Sequence, residues 1–388
     1  MSSWRRAVGM LLMTLAVETS AVRADGADIA IPSTDRSVEV HGFVSPGFIL
    51  TTGDNYLAKS KRGSFEFSEV GINFTSQLTD KLRTGVQLFS RDLGPAGNYA
   101  PRADWYYLDY RFEDYFGIRA GRVKIPFGLY NDASDIDVAR VPILLPQSIY
   151  DIANRDLLLA QTGVEVYGRV RTRRLGALEY RLYGGTIFIP VGAQTTIQAP
   201  ITDLDVPYVV GQRLMWETPV EGLRVGGTLQ AFRLDARLPL PDNTTAAFGL
   251  PAVLWVGSVE YAAHDLLLAA EYSRWVARTE SDRRELVARA ISERAYGMAS
   301  YRVSPWFHPG VYYSVLFPNV DQRTGRDKVQ HDLAGTLRFD INDHWLFKLE
   351  GHFMSGTAVL QSDLNDGRLQ SQMSKNWGVF LVKTTAHF

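Results

Sequence analysis

NWGVFLVKTTAHF (Asn376–Phe388) closes the sequence with apolar residues recurring at every second position. In an extended strand Ala386, Thr384, Val382, Phe380 and Gly378 share one face, and His387, Thr385, Lys383, Leu381 and Val379 share the other. Period-two alternation is the strand signal. Soluble domains usually finish in a frayed polar tail, whereas here an aromatic holds the last position. One greasy face and one mixed face imply a strand with different surroundings on its two sides.

The same pattern recurs along the chain in segments of about ten to fourteen residues. GVEVYGRVRT sets Val164, Val166, Gly168 and Val170 against Glu165, Tyr167, Arg169 and Arg171. HWLFKLEGHF sets Trp345, Phe347, Leu349, Gly351 and Phe353 against His344, Leu346, Lys348, Glu350 and His352. DWYYLDYRF sets Tyr106, Leu108, Tyr110 and Phe112 against Trp105, Tyr107, Asp109 and Arg111.

The separators decide the architecture. Seven are tight and polar: LTDK near Thr79, FEDY near Asp114, RRLG near Leu175, TPVEG near Val220, AHD near His264, SPW near Pro305 and IND near Asn342. They alternate with eight longer Gly/Pro/Asp-rich stretches near 51–63, 92–102, 124–160, 189–206, 236–250, 279–294, 318–328 and 355–374. Fifteen connections join sixteen strands. Short turns on one side and long loops on the other describe an all-β, antiparallel transmembrane barrel, its turns periplasmic and its loops extracellular. The last strand is then expected to close against VEVHGFVSPGFIL (Val38–Leu50), which removes both sheet edges.

Composition and termini agree with this setting. The chain has 388 residues, a formal charge of −1 and no cysteine. The charge gives no sign of a nucleic-acid partner, and the absence of thiols excludes disulfides and thiolate metal sites. Arg5 and Arg6 followed by AVGMLLMTLAV (Ala7–Val17) and small residues read as a signal peptide over 1–24, with cleavage after Ala24 or Ala21. The alternative, a membrane anchor, is too short to span. The expected organisation is a signal peptide (1–24), an N-terminal lead (25–35) and a barrel (36–388). Past the signal peptide lie Trp105, Trp216, Trp255, Trp275, Trp306, Trp345 and Trp377, all expected near strand ends in two interfacial girdles. A soluble β-sandwich would place several of them at mid-strand.

Sixteen strands leave room for an aqueous channel. The face turned inward is expected to carry Arg83, Arg91, Arg111, Arg119, Arg169, Arg171, Arg181, Arg213, Arg224, Arg338, Lys348 and Lys383. It also carries Asp109, Glu165, Glu179, Glu217, Glu260, Glu271, Asp332 and Glu350. So many charges demand water or close pairing, and the basic excess leans toward anions. Pairing across strands that merely keeps the wall hydrated is the alternative.

The longest connection, KIPFGLYNDASDIDVARVPILLPQSIYDIANRDLLLA (124–160), is too apolar for disorder. Folded into the lumen it would bury Ile143, Leu144, Leu145, Ile149 and Tyr150. It would also present Lys124, Asp132, Asp135, Asp137, Arg140, Asp151, Arg155 and Asp156 at a constriction. An outward lid, or a grip on a neighbouring subunit, is the other placement.

AGRVKIPFGLYND (Ala120–Asp132) resembles the stretch that opens the long loop of phosphate-selective porins, the porin O and P family. INDHWLFKLEGHFMSGT (Ile341–Thr357) is similar to the penultimate hairpin of these and related proteobacterial porins. The resemblance implies a Gram-negative outer-membrane protein, a sixteen-stranded barrel, trimeric assembly and passive diffusion of small hydrophilic solutes or anions without a cofactor. Arg122 and Lys124 match the shared stretch, but the family's lysine cluster near the constriction has no counterpart here. The terminal Phe388 resembles the signal by which such barrels reach their assembly machinery.

Other functions have less support. None of the seven histidines lies in an H-x-S-N-G-like context, and there is no G-x-S-x-G or phosphate-binding glycine loop. His344 and His352 would stand ~26 Å apart along a strand, too far to share a metal. An adhesin would need a further domain. Small residues at outward positions, Gly168, Gly184, Gly227 and Gly257, offer a flat face to a second subunit, or simply relieve sheet curvature.

Overall fold

The structure is a computed structural model that describes residues 27–30, 37–189, 203–239, 245–281 and 288–388. Sixteen long strands run in chain order: β1 (Ser37–Thr51), β2 (Ser68–Gln77), β3 (Leu82–Asp92), β4 (Arg102–Glu113), β5 (Phe116–Lys124), β6 (Ala160–Thr172), β7 (Gly176–Ile187) and β8 (Asp203–Glu217). They continue as β9 (Leu223–Pro239), β10 (Thr245–Ala263), β11 (Leu266–Arg278), β12 (Arg289–Tyr301), β13 (Phe307–Phe317), β14 (Gln330–Asn342), β15 (Trp345–Gly356) and β16 (Asn376–His387). Each pairs antiparallel with its neighbours in sequence, and β16 pairs with β1 through registers such as Lys383↔Gly47 and His387↔Phe43. The ring is closed, so every strand has two partners.

Closure reaches the last residue. Gly42 and Phe388 exchange both backbone hydrogen bonds, at 3.1 and 3.0 Å, and the Phe388 ring lies over the space a Cβ on Gly42 would fill. Below that pair β1 continues as Ser37–Val40, and the short strand Ala27–Ala30 pairs along it. The expected signal peptide lies outside the described residues, and of the 25–35 lead only this short strand is described.

The seven tight turns and eight long loops alternate as the sequence suggests. Two loops are shorter than expected. Strands β9 and β10 continue their ladder to Pro239↔Thr245, so most of 236–250 is strand. Pro251 is accommodated at a break in that edge's ladder, between Ala252↔Ala277 and Gly249↔Glu280. Likewise β12 starts at Arg289, inside the expected 279–294 loop.

Outward positions form an apolar belt that includes Leu108, Val164, Leu214, Val259, Leu333 and Phe353, all exposed. An exposed hydrophobic band of this extent is what a lipid-facing wall requires. The tryptophans divide differently from expectation. Trp216, Trp255, Trp306 and Trp345 face outward, but Trp255 lies well inside the 19-residue β10. Trp105 lines the interior cavity, Trp275 packs edge-on against Phe127 of the 124–160 loop, and Trp377 is buried. Period two sends those three inward, where the folded loop packs against Trp275 and Trp377 and Trp105 stacks on Tyr107 of its own strand.

Candidate functional site

The lumen is organised by the segment between β5 and β6. Its two ends meet: the Ile125 N–H donates to Leu159 O at 2.9 Å, and Asn131 Nδ2 donates to both Ile125 O and Leu158 O at 2.8 Å. Between them the chain runs through short 3-10 turns at Asn131–Ala133, Asp137–Ala139 and Ile152–Asn154 and one helical turn at Arg155–Leu158. Gly128 has φ +59, and a Cβ there would collide with Tyr150 and Glu271, so the first bend of the loop requires glycine.

Side chains on opposite walls hold this segment inside the barrel. On the near side Asp132 accepts from Arg181 of β7 at 2.7 Å and Arg213 of β8 at 3.1 Å. Asp135 pairs with Lys124 and accepts from Gln87 of β3 at 2.6 Å. Asp104 of β4 pairs with Arg155, and Arg102 pairs with Asp156 at 3.1 Å. On the far side Lys348 of β15 donates to Asp137 O at 2.7 Å and to its carboxylate at 3.0 Å, while Thr385 of β16 reaches the other carboxylate oxygen at 2.8 Å. Arg338 of β14 donates to Val138 O and Arg140 O.

Two buried carboxylates complete the attachment. Glu350 of β15 accepts the backbone N–H groups of Ile143 and Leu144 at 2.7 and 2.8 Å. It is held in turn by Thr336 and by His352, whose other ring nitrogen faces Asp332 at 2.9 Å. Glu271 of β11 accepts from Leu129 N at 3.0 Å, Tyr296 at 2.9 Å, Ser258 and Tyr150. Apolar contacts fill the remainder. Ile143 and Leu144 pack with Tyr56, Leu57, Leu360, Met373 and Trp377, whereas Leu145, Ile149, Tyr150 and Leu158 pack against Val209, Phe232, Leu254 and Tyr312.

A cavity of about 380 Å³ remains on the turn side of the loop. Its walls carry Arg83, Arg119, Arg181, Arg213, Arg224, Glu165, Glu179 and Glu260, and the loop contributes Lys124, Tyr130 and Asp132. Six basic groups thus face four acidic ones. Most of them alternate in a chain of contacts: Asp109 with Arg119 at 2.9 Å, Arg119 with Glu165 at 3.2 Å, Glu165 with Arg181 at 2.7 Å, and Arg213 with Glu179 at 2.6 Å. The Arg119 guanidinium also lies 5.0 Å from the ring centres of Tyr107 and Tyr167.

The loop carboxylates respond to their surroundings. Burial alone would raise Asp132, but Arg181 and Arg213 hold it below the ordinary carboxylate range. Burial opposes Asp135 and Asp137 too, and Lys124 with Arg155, and Lys348 with Lys383, keep each below that range. Asp151 differs. Burial raises it, and its partners are local, the Ala153 N–H at 2.9 Å and Asn154 at 2.6 Å.

The expected site residues separate into three places. Arg83, Arg119, Glu165, Arg181 and Arg213 line the cavity, with Asp109 directly behind Arg119. Arg91, Lys348 and Glu350 are buried beneath loop segments, away from its lining; Arg91 donates to Ile152 O at 3.2 Å and Lys348 has no exposed side-chain surface. Toward the turns Arg169 pairs with Glu217, Arg171 is two-thirds exposed beside Asp114, and Arg111 lies at register Arg111↔Gly117. Of the loop set, Lys124 and Asp132 reach the cavity, whereas Asp135, Asp137, Arg140, Asp151 and Arg155 are engaged with wall or loop.

Sequence reasoning missed Asp104, Gln87 and the tyrosines at 107, 130 and 167. Strict alternation turns Asp104 away from the lumen because Trp105 points in. The register shift between Gln87↔Trp105 and Leu88↔Ala103 marks a bulge at Asp104 that brings it inside as well.

No protein-family model and no curated protein matches the chain. Solved structures do share its fold. Outer-membrane expressed OmpT of Vibrio cholerae superposes with TM-score 0.59 at 10% identity, covering 93% of this chain and 100% of that one. OmpF of Salmonella typhi, in complex with daunomycin, gives 0.57 at 13% identity over 93% and 100%. An anion-selective porin from Comamonas acidovorans gives 0.56 at 12% identity over 91% and 100%. The chain therefore has the closed sixteen-stranded fold of outer-membrane porins.

Proposed function

We propose that this barrel is a diffusion porin of the outer membrane for small hydrophilic solutes, with a weak preference for anions. The 124–160 loop is its constriction, and we assign it no catalytic role. The observation that carries the reading is the charged cavity on the turn side, floored by Tyr130 and Asp132 of that loop, where six basic groups face four acidic ones. Low-dielectric walls focus even a small surplus of charge on a passing ion. Most of these groups are already paired, so the preference is modest and phosphate is one permitted anion among several.

A homotrimer extends the reading. Gly257, Gly297, Gly335 and Gly351, on β10, β12, β14 and β15, have no atoms over their open side. Gly168 and Gly227 are different, since a Cβ there would strike neighbouring backbone, and they serve close strand packing instead.

Purified protein in planar bilayers under a KCl gradient tests the function. Stepwise conductance with a reversal potential on the anion side is expected. A cation-side reversal would refute the preference and leave the channel standing. Absence of conductance would refute the channel and favour a plugged barrel, a reading to which the apolar packing of the loop lends weight.

A further inference from the structure

On the loop side of the 124–160 segment the inner wall is built unlike the cavity beneath it. Beyond Glu271, which grips that segment, β11 turns Trp275 and Ala277 inward, and β10 turns Phe248 and Leu250 inward beside Ala236 and Leu234 of β9. Leu234 and Ala236 are buried, whereas Phe248, Leu250, Trp275 and Ala277 keep part of their surface exposed. The alternate, outward positions carry Arg233, Asp235 and Glu280, paired at 2.7 and 2.9 Å. Lower in the barrel lipid requires apolar residues outside. Here the order is inverted, so lipid does not account for an apolar wall facing the lumen. Apolar surface of this kind, rimmed by polar groups, marks a ligand groove.

Arg294 of β12 stands at the edge of this wall, opposite Ser273 on one side and Leu316 on the other. Its guanidinium stacks on Trp275, 3.4 Å from the ring centre, and its Nε donates to Ser292 Oγ at 3.0 Å. The indole is fixed in turn by its own N–H, which donates to Ser273 Oγ at 2.9 Å, and by Phe127 packed against it. Trp275 thus covers one face of the guanidinium and Ser292 takes Nε. The outer edge, Nη1 and Nη2, has no partner among the described residues. No described carboxylate comes within ion-pair distance either. Asp151 faces Arg294 at longer range and is held by Ala153 and Asn154. An arginine locked in this way presents two parallel N–H groups, the geometry that receives a carboxylate bidentately.

We propose that Arg294 and this wall form a binding site for small carboxylic acids with an apolar body. The carboxylate sits on the Arg294 fork, and the body lies beside Trp275, along Ala277 toward Leu250. The site is separate from the turn-side cavity; its part in solute passage rests on the channel reading above, its existence as a binding site does not. The test titrates the purified full barrel, in nonionic detergent, with phenylacetate, phenylacetamide and inorganic phosphate by calorimetry. Planar bilayers then record the KCl current with phenylacetate present. Phenylacetate is expected to bind at least about tenfold more tightly than either control, since the amide lacks the charge and phosphate lacks the body. It is also expected to reduce the current as it fills the site. Arg294→Gln should weaken phenylacetate about tenfold or more, and Arg294→Lys, which keeps the charge without the fork, should lose most of the same preference. Heat-modifiable gel migration verifies that each variant is folded. Binding by a barrel that does not conduct would uphold the site and refute the channel alone. Equal binding of phenylacetate and either control, or equal affinity of wild type and folded Arg294→Gln, would overturn the proposal.

Discussion

Asp137 illustrates how single residues hold the lumen together. Its carboxylate meets Lys348 and Thr385 in a region without solvent, and neither charge would be stable there alone. Asp132 and Asp135 play matching parts on the opposite wall. All three lie below the ordinary aspartate value of 3.8, so their anchoring is complete above that value and is lost as pH falls through the lower folded-state values. Asp151, shifted the other way, caps only its own turn, and its protonation leaves the wall contacts intact. Acidification below about pH 4 is therefore expected to make conductance noisy. Asp137→Asn should reproduce that noise at neutral pH, because it leaves the buried Lys348 without its counter-charge, a loss of about 3–5 kcal/mol. An Asp137→Asn barrel as quiet at neutral pH as the wild type would contradict this assignment.

At the level of elements, the strands were readable because a lipid-facing wall enforces alternation, and the turns because a two- to five-residue reversal demands polar or glycine residues. The loop at 124–160 was conspicuous by its length and its buried-type side chains. What could not be read was the destination of each charge. Lys348 and Glu350 alternate as an inward pair, yet whether such residues meet water or a folded loop depends on contacts across the barrel, such as Glu350 with Ile143 some 207 positions away. The bulge at Asp104 defeats parity for a related reason: one extra residue redirects a side chain without altering the composition of the strand. The lengths of β9 and β10 were underestimated because TAAFGLP (245–251) carries turn-forming residues that the ladder nonetheless accommodates.

For the whole molecule, the open glycines on β10–β15 give the proposed trimer a definite face. Native mass spectrometry in detergent is expected to show a threefold mass, and monomer alone would argue against that assembly. The central claim is that the folded loop, rather than the barrel wall, limits passage. Its root is closed by Asn131 and by the Ile125–Leu159 bond, so removing 132–156 leaves the strands and their nearest loop contacts in place. Single-channel conductance of that deletion beside the wild type tests the claim most directly. A clear rise in conductance, with the barrel still heat-modifiable, is the result this account predicts; an unchanged conductance from a folded barrel would contradict it.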